Sequence, residues 1–242
     1  MGRTSKAIGK KLVKLRDFLW RVTLLLFQLS LFFIIIYRVL PVPITPLPIV
    51  RFFEQAFGPD PIRLKKDWEP IEKLGKPICL AAITSEDPRF FEHVGFDFEQ
   101  IWDSIEKSFK KGKRPRGAST ISQQTAKNLF FTPSRSWIRK ILEVYVTVCL
   151  ETLWTKKRIL EVYLNIIEMG KGVYGAEAAA QFYFQKPANE LSNRQAAAIV
   201  ACFPNPRRWQ ANNPSRYIKR KQQIIVRFMD KIPDLPWDTK GD

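Results

Sequence analysis

Ile83-Thr-Ser-Glu86-Asp87-Pro88-Arg-Phe90-Phe-Glu-His93-Val-Gly95 is the stretch around which the rest of the chain is organised. Two adjacent carboxylates close an apolar run from Ile78 to Ile83, beside a proline and a pair of phenylalanines. The only histidine of the chain follows seven residues after Glu86. An acidic pair against apolar surroundings is where a carboxylate pKa can be raised toward general acid or base duty. The plainer reading is a helix cap, with Asp87 ahead of Pro88 and acids favoured in a first turn. Taken by itself, the pair favours that plainer reading.

Downstream, Phe98 to Phe109 places apolar residues at helical spacing. A basic, Gly- and Pro-containing loop from Lys110 to Gly117 follows, either a solvated charge run or a cationic lip over an anionic ligand. Ser119 or Thr120 can then cap a helix, with Gln123 or Gln124 closing a capping box. On that helix Gln123, Gln124, Lys127 and Asn128 make a polar face suited to hydrogen-bonding sugars. Ile138 to Trp154 is a long helical pattern whose apolar stripe runs through Ile138, Ile141, Leu142, Tyr145, Val148, Cys149, Thr152 and Leu153. Another face carries Arg139, Lys140 and Glu143, which is either an ordinary surface ion pair or a pair of cations and a carboxylate suited to a phosphate ester. Lys156 to Asn165 continues as an amphipathic helix, followed by a Gly-interrupted turn, two Ala-rich helices and a last basic helix from Tyr217 to Met229. No internal repeat and no strand alternation is present, so the fold class is mainly α.

Upstream, Val22 to Tyr37 is apolar apart from Thr23, Gln28 and Ser30, and Val39 and Leu40 extend it. That is close to the ~20 residues needed to span a bilayer. The flanking Lys and Arg, and the absence of an Ala-x-Ala-like site ahead of Pro41-Val-Pro43-Ile-Thr-Pro46-Leu-Pro48, point to an uncleaved anchor with a cytoplasmic N-terminus. The Pro-rich stretch reads as a stiff, extended spacer. The boundaries expected are a basic segment 1–17, an anchor 18–40, a spacer and linker 41–64, one domain 65–230 and a tail 231–242. The formal charge is +17, of which residues 1–40 hold eight basic residues against one acid, so the domain itself is strongly basic. Such a domain expects an anionic membrane surface or a phosphorylated substrate, and the anchor argues against nucleic acid. Cys79, Cys149 and Cys202 each lie in apolar runs, with neither a zinc spacing nor a disulfide framework.

In order along the chain stand Glu86-Asp87-x-x-Phe90-x-x-His93-x-Gly95, then Gly117-x-Ser119-Thr120-Ile121-x-Gln123-Gln124-x-x-Lys127-Asn128. Arg139-Lys140-x-x-Glu143 and Lys156-x-x-Ile159-Leu160-x-x-Tyr163-Leu164-Asn165 come after them. This succession resembles the motifs of the peptidoglycan glycosyltransferase (transglycosylase) family, over roughly residues 75 to 210. Glu168-Met-Gly-x-Gly-Val-Tyr-Gly-Ala and Phe203-Pro-Asn-Pro-Arg207 further resemble its monofunctional branch, which lacks a transpeptidase domain. Two departures, Ala118 and Gln185, fall where the family has Gly.

The resemblance implies a lysozyme-like, two-lobed helical domain that polymerises lipid II on the outer face of the cytoplasmic (inner) membrane. Glu86 would be the base on the GlcNAc 4-hydroxyl, and Arg139 and Lys140 would hold the pyrophosphate. Glu143 would orient these cations, bind a metal or assist departure, with Mg2+ or Mn2+ bridging the pyrophosphate as the one cofactor considered. Asp87, Phe90, His93, Ser119, Thr120, Gln123, Gln124, Lys127, Asn128, Lys156, Tyr163 and Asn165 would complete the substrate site, His93 mainly by supporting Glu86 or Asp87. The partners implied are lipid II, the growing glycan strand, membrane lipids and other cell-wall synthesis or division proteins. Two other readings compete: a glycan-cleaving lytic transglycosylase or muramidase, and an inactive membrane-tethered scaffold.

Overall fold

The structure is a computed structural model that describes residues 2–59, 61–112, 119–134 and 136–238, with backbone alone for residues 2–10 and 111. Residues 113–117 of the expected basic loop, Ala118 and residues 239–242 of the expected tail lie outside the described residues.

The chain forms two compact units, residues 1–40 and 41–242. The first is one helix, α1 (Gly2–Tyr37), so the basic segment and the anchor are continuous rather than separate elements. Within its Lys11–Tyr37 portion an 18-residue stretch reaches a mean hydropathy of 2.1, long and apolar enough to cross a membrane.

The second unit holds α2 (Pro46–Ala56), β1 (Lys65–Lys66), α3 (Ile71–Leu74), α4 (Lys76–Glu86), α5 (Phe98–Lys111), α6 (Ile121–Phe130) and α7 (Trp137–Leu153). It continues through α8 (Lys156–Ile166), β2 (Glu168–Gly170), β3 (Val173–Tyr174), α9 (Ala176–Phe184), α10 (Asn193–Ala201) and α11 (Arg216–Met229). The mainly helical class expected from the sequence holds. The three strands form a small sheet of order β1-β3-β2, β1 parallel and β2 antiparallel to β3. Strands of two or three residues are too short to leave an alternating pattern in the sequence.

The reading of Pro41–Pro48 as an extended spacer is corrected. Pro46 opens α2 in the first turn, where a missing N–H removes no helical hydrogen bond. Val42, Thr45 and Leu47 are buried, and the Gln55 side chain accepts from the Arg63 N–H at 2.8 Å, so the segment is folded into the unit. The tail reading is corrected in the same way. Leu235 is buried, Asp234 pairs with Lys76, and the Trp237 ring meets that of Phe91 at 5.9 Å between centroids.

The core is built on α4, whose residues from Ile78 to Ile83 are all buried against α10 and α11. The alanines of α10 (Ala196, Ala197, Ala198 and Ala201) permit that close approach. Cys79 and Cys202 are free, buried core thiols. At the end of α9, Gln185 takes the left-handed conformation at φ 56°, the geometry for which the resemblance expects Gly.

The apolar stripe read for α7 is the wrong way round. Ile138, Ile141, Leu142 and Val148 are exposed, while Glu143, Val146, Thr147 and Leu150 are buried against α6 and α8. The helix turns Glu143 inward with Arg139 and Lys140 of the same helix paired to it, and its greasy face is left outside. Phe98, Trp102 and Phe109 of α5 are likewise exposed.

Asn165, expected in the substrate site, is instead a strut of the fold. It is fully buried, accepts from the Glu69 N–H at 3.0 Å, and donates to the Glu69 and Glu161 carbonyls at 2.9 and 2.8 Å. Asn165→Ala would strand both backbone groups of Glu69. We expect a loss of about 2–4 kcal/mol, taking two to three net hydrogen bonds with their desolvation. Chaotrope unfolding in detergent checks it, with Glu86→Gln as a variant that should not share the loss.

Candidate active site

The C-terminus of α4 puts the two carboxylates in different surroundings. Asp87 is fully buried; one oxygen accepts from the Ile121 N–H at 3.0 Å and the other from His93 Nε2 at 2.9 Å. Its capping role is therefore real, but the helix it caps is α6, thirty-four residues on, and not one starting at Pro88. Thr120 and Gln123 form the capping box of α6, as their spacing suggested. The Thr120 hydroxyl also donates to the Gly95 carbonyl at 2.7 Å. Gly95 sits at φ +79° with Thr147 so close that a Cβ would lie 2.9 Å from its methyl, so only glycine fits there.

Several expected substrate contacts thus belong to the frame. Phe90 is fully buried beneath Lys156, whose ammonium lies 4.6 Å from the ring centroid and 2.8 Å from Glu151. Glu151 also takes the Ser122 hydroxyl. Asp87, Phe90, Thr120 and Gln123 are buried within the frame rather than turned to a ligand, and His93 supports Asp87 as expected, while its Nδ1 has no partner among the described residues and Lys156 stays partly exposed.

Glu86 stays partly exposed. Its carboxylate accepts from Ser85 Oγ at 3.2 Å and Gln124 Nε2 at 3.0 Å, so the approach is apolar but the acid itself has polar neighbours. Gln124 Oε1 accepts in turn from the Tyr163 hydroxyl at 3.3 Å. Burial, and then the nearby charges of Glu86 and Asp87, push the Tyr163 phenol far up, so it stays protonated and keeps donating.

The cations gather one turn further along α6 and on α7. Burial and then repulsion from Arg139 lower the Lys127 pKa, with attraction from Glu86 opposing them. Burial, followed by repulsion from Arg139 and Lys127, lowers the Lys140 pKa. Lys127 thus feels the charges of both Glu86 and Arg139. Glu143 is buried and engaged twice, by Arg139 and by Lys140 at 3.3 Å. Arg139 Nε is buried without a hydrogen-bond partner among the described residues, a donor suited to an anionic oxygen. Two cations on one carboxylate, with the charge of Lys127 felt beside them, leave a net positive charge, which is what a polyanion needs.

A cleft of about 180 Å³ opens beside this group, with Gln124, Lys127, Asn128 and Tyr163 along one wall and Arg51, Glu168 and Phe203 along the other. Asn128 turns its amide nitrogen to the Gln124 carbonyl at 2.9 Å, and the exposed Ser119 offers its carbonyl to Gln124 at 3.4 Å. Sequence reasoning missed Arg51, which the spacer reading had removed from the domain, and gave Glu168 no role. Both Glu143 oxygens face cations, and in the Asp87, His93 and Asp97 cluster Asp97 is forked onto Arg89.

Residues 57–230 match the family model described as Transglycosylase. The chain is similar to proteins named biosynthetic peptidoglycan transglycosylase from three bacteria. It is 47% identical to that of Bdellovibrio bacteriovorus over 94% of this chain and 96% of the relative. The corresponding figures are 46% over 87% and 84% for Bacteroides thetaiotaomicron, and 45% over 87% and 86% for Pasteurella multocida.

Glu168 gives the site a pH signature. Burial raises its carboxyl above the ordinary 4.5, against the pull of the Gly172 N–H and of Arg51 and Arg207. The folded chain therefore keeps this proton where the unfolded chain has lost it. Its contribution to stability falls as pH climbs from the ordinary value through the raised one. Unfolding of Glu168→Gln should show a flatter pH dependence than the parent above the ordinary carboxyl value of 4.5.

Proposed function

The chain belongs to the transglycosylase family, whose domain is a lysozyme-like helical fold, and from that premise we propose that it is a monofunctional peptidoglycan glycosyltransferase that polymerises lipid II into linear glycan strands. Glu86 takes the proton of the acceptor GlcNAc 4-hydroxyl as that oxygen attacks the donor's anomeric carbon. The bond from that carbon to the pyrophosphate oxygen breaks, and undecaprenyl pyrophosphate leaves with the electron pair. Attack from the opposite face without a covalent intermediate inverts the centre. Gln124, itself steadied by Tyr163, holds the carboxylate in place.

The observation that carries this reading is the cation cluster. Lys127, Arg139 and Lys140 outnumber the single carboxylate among them, and Lys127 feels the charge of Glu86. Such a cluster stabilises charge developing on a pyrophosphate leaving group. A muramidase, which protonates a neutral sugar oxygen, has no use for it. Glu143 serves by orienting Arg139 and Lys140. A divalent cation is proposed only on the substrate's own phosphate oxygens, since Glu143 is already engaged.

We place the domain at the outer face of the inner membrane, tethered by α1 with its basic end in the cytoplasm. The outward apolar faces of α5 and α7 support contact of the domain with lipid. Other wall-synthesis and division proteins are proposed as partners on the same ground of setting alone.

Polymerisation of lipid II by the purified chain tests the proposal, with finished sacculi incubated in parallel. Glu86→Gln should cut polymer formation about 10²–10⁴-fold with the unfolding midpoint retained, and Arg139→Met about 10²–10³-fold with a lowered midpoint, because buried Glu143 is left with Lys140 alone. Solubilised sacculi without polymer would replace synthesis with cleavage, and an unaffected Glu86→Gln would remove the base. Chelation followed by Mg2+ add-back should change the rate equally in the parent and in Glu143→Gln if the metal rides on phosphate.

A further inference from the structure

Helix α11 makes its core contacts through Ile218, Ile225 and Met229, all nearly fully buried. Lys221 falls on that same stripe, three residues after Ile218 and four before Ile225, where helical periodicity asks for an apolar side chain. The other basic residues of the helix, such as Lys219, Arg220 and Arg227, lie on the exposed faces, whereas Lys221 is half-buried. Among the described residues it makes no ion pair and no hydrogen bond. A cation drawn out of water needs a countercharge close by.

Glu86 attracts Lys221 from beyond ion-pair distance. Burial lowers the Lys221 pKa, and the attractions of Glu86 and Cys202 oppose the fall. Burial pushes the Cys202 thiol up to about 11, so at neutral pH it carries no charge. Lys221 lines a cavity of about 460 Å³ between α4 and α11 together with Ser85 and Pro88, which flank the Glu86-Asp87 pair. Ile224 and Phe228 supply apolar wall there, which lengthens the reach of a charge. From the cleft side Glu86 is met by Lys127 of α6 and, through Gln124, by the protonated Tyr163 of α8. Asp87 is turned away to His93 and Ile121.

We propose that Lys221 is a positioning residue of the reaction centre: from the α4–α11 cavity it balances and orients the Glu86 carboxylate, while Lys127 does so from the cleft. The base then works between two cations that belong to separate cavities. Only Lys127 is shared with the pyrophosphate cluster, so the base keeps one counterion when that cluster fills with substrate. This rests on the reading of Glu86 as the base.

The experiment is the pH dependence of lipid II polymerisation by the full chain in detergent, for the parent, Lys221→Met, Lys221→Gln and Lys221→Arg. Loss of a cation beside a base moves the acidic limb of kcat/KM to higher pH, here by roughly half a unit to one unit in a partly solvated site. We expect that shift in Lys221→Met, a kcat lower by about 3–10-fold at neutral pH on the same grounds, an unchanged KM, and recovery of the limb in Lys221→Arg. Lys221→Gln, which keeps a polar group, should behave like Lys221→Met and serves in its place if that variant does not fold. A uniform loss at every pH with a lowered unfolding midpoint would overturn the proposal in favour of a packing role. A raised KM with kcat retained would overturn it in favour of a substrate anchor. Failure of the parent to polymerise lipid II would instead remove the functional reading beneath it.

Discussion

The Asp87 carboxylate, shut off from water, joins the end of one helix to the beginning of another. It accepts the Ile121 N–H at the head of α6, where an acid also meets the positive end of the helix dipole, and His93 fills its other oxygen. That one linkage fixes how α4 and α6 meet. Glu86, the last residue of α4, consequently lies against Gln124 in the first turn of α6. Lys127 comes one turn later, and the remaining faces of α6 pack on α7 and α8. Arg139 and Tyr163 are therefore brought in by elements that never touch the opening stretch in sequence. Thr120, Gln123 and Gly95 serve the same joint from its other side.

Helix α7 shows how function can overrule the usual sorting of side chains. Glu143 is buried with Arg139 and Lys140 drawn in after it, while isoleucines and leucine on the opposite face meet solvent. Burying a carboxylate is costly unless it is paired, and here both partners come from its own helix at i−4 and i−3. Their charges exceed its own, so the surplus is available to an anion. The outward apolar face becomes reasonable once the substrates are themselves lipid-linked.

The sequence was most legible where several local signals agreed. The order of the four motifs, the helical periods and the Thr120–Gln123 capping box all hold in the structure. It was least legible where a local pattern is compatible with two settings. A stripe of isoleucines states which residues share a face of α7, but not whether protein or membrane lies opposite. Proline at 46 reads as a helix breaker unless it occupies a first turn, as it does. Asn165 and Phe90 sit inside recognisable motifs, and a motif alone does not separate ligand contact from strut. Burial separates them. Lys221 carried a signal, a lysine in the apolar register of an amphipathic helix, that shows only once the helix face is fixed by Ile218, Ile225 and Met229.

Two neighbouring carboxylates with opposite fates follow from where α4 stops. Successive residues at a helix end point in different directions, so Glu86 and Asp87 cannot share an environment. Asp87 turns inward, takes a donor on each oxygen and has no capacity left for chemistry. Glu86 keeps a partly open face, one donor from its neighbour Ser85 and one from Gln124, and cations on two sides. A base must be both held and reachable, and the inward carboxylate supplies the holding that leaves the outward one free to react.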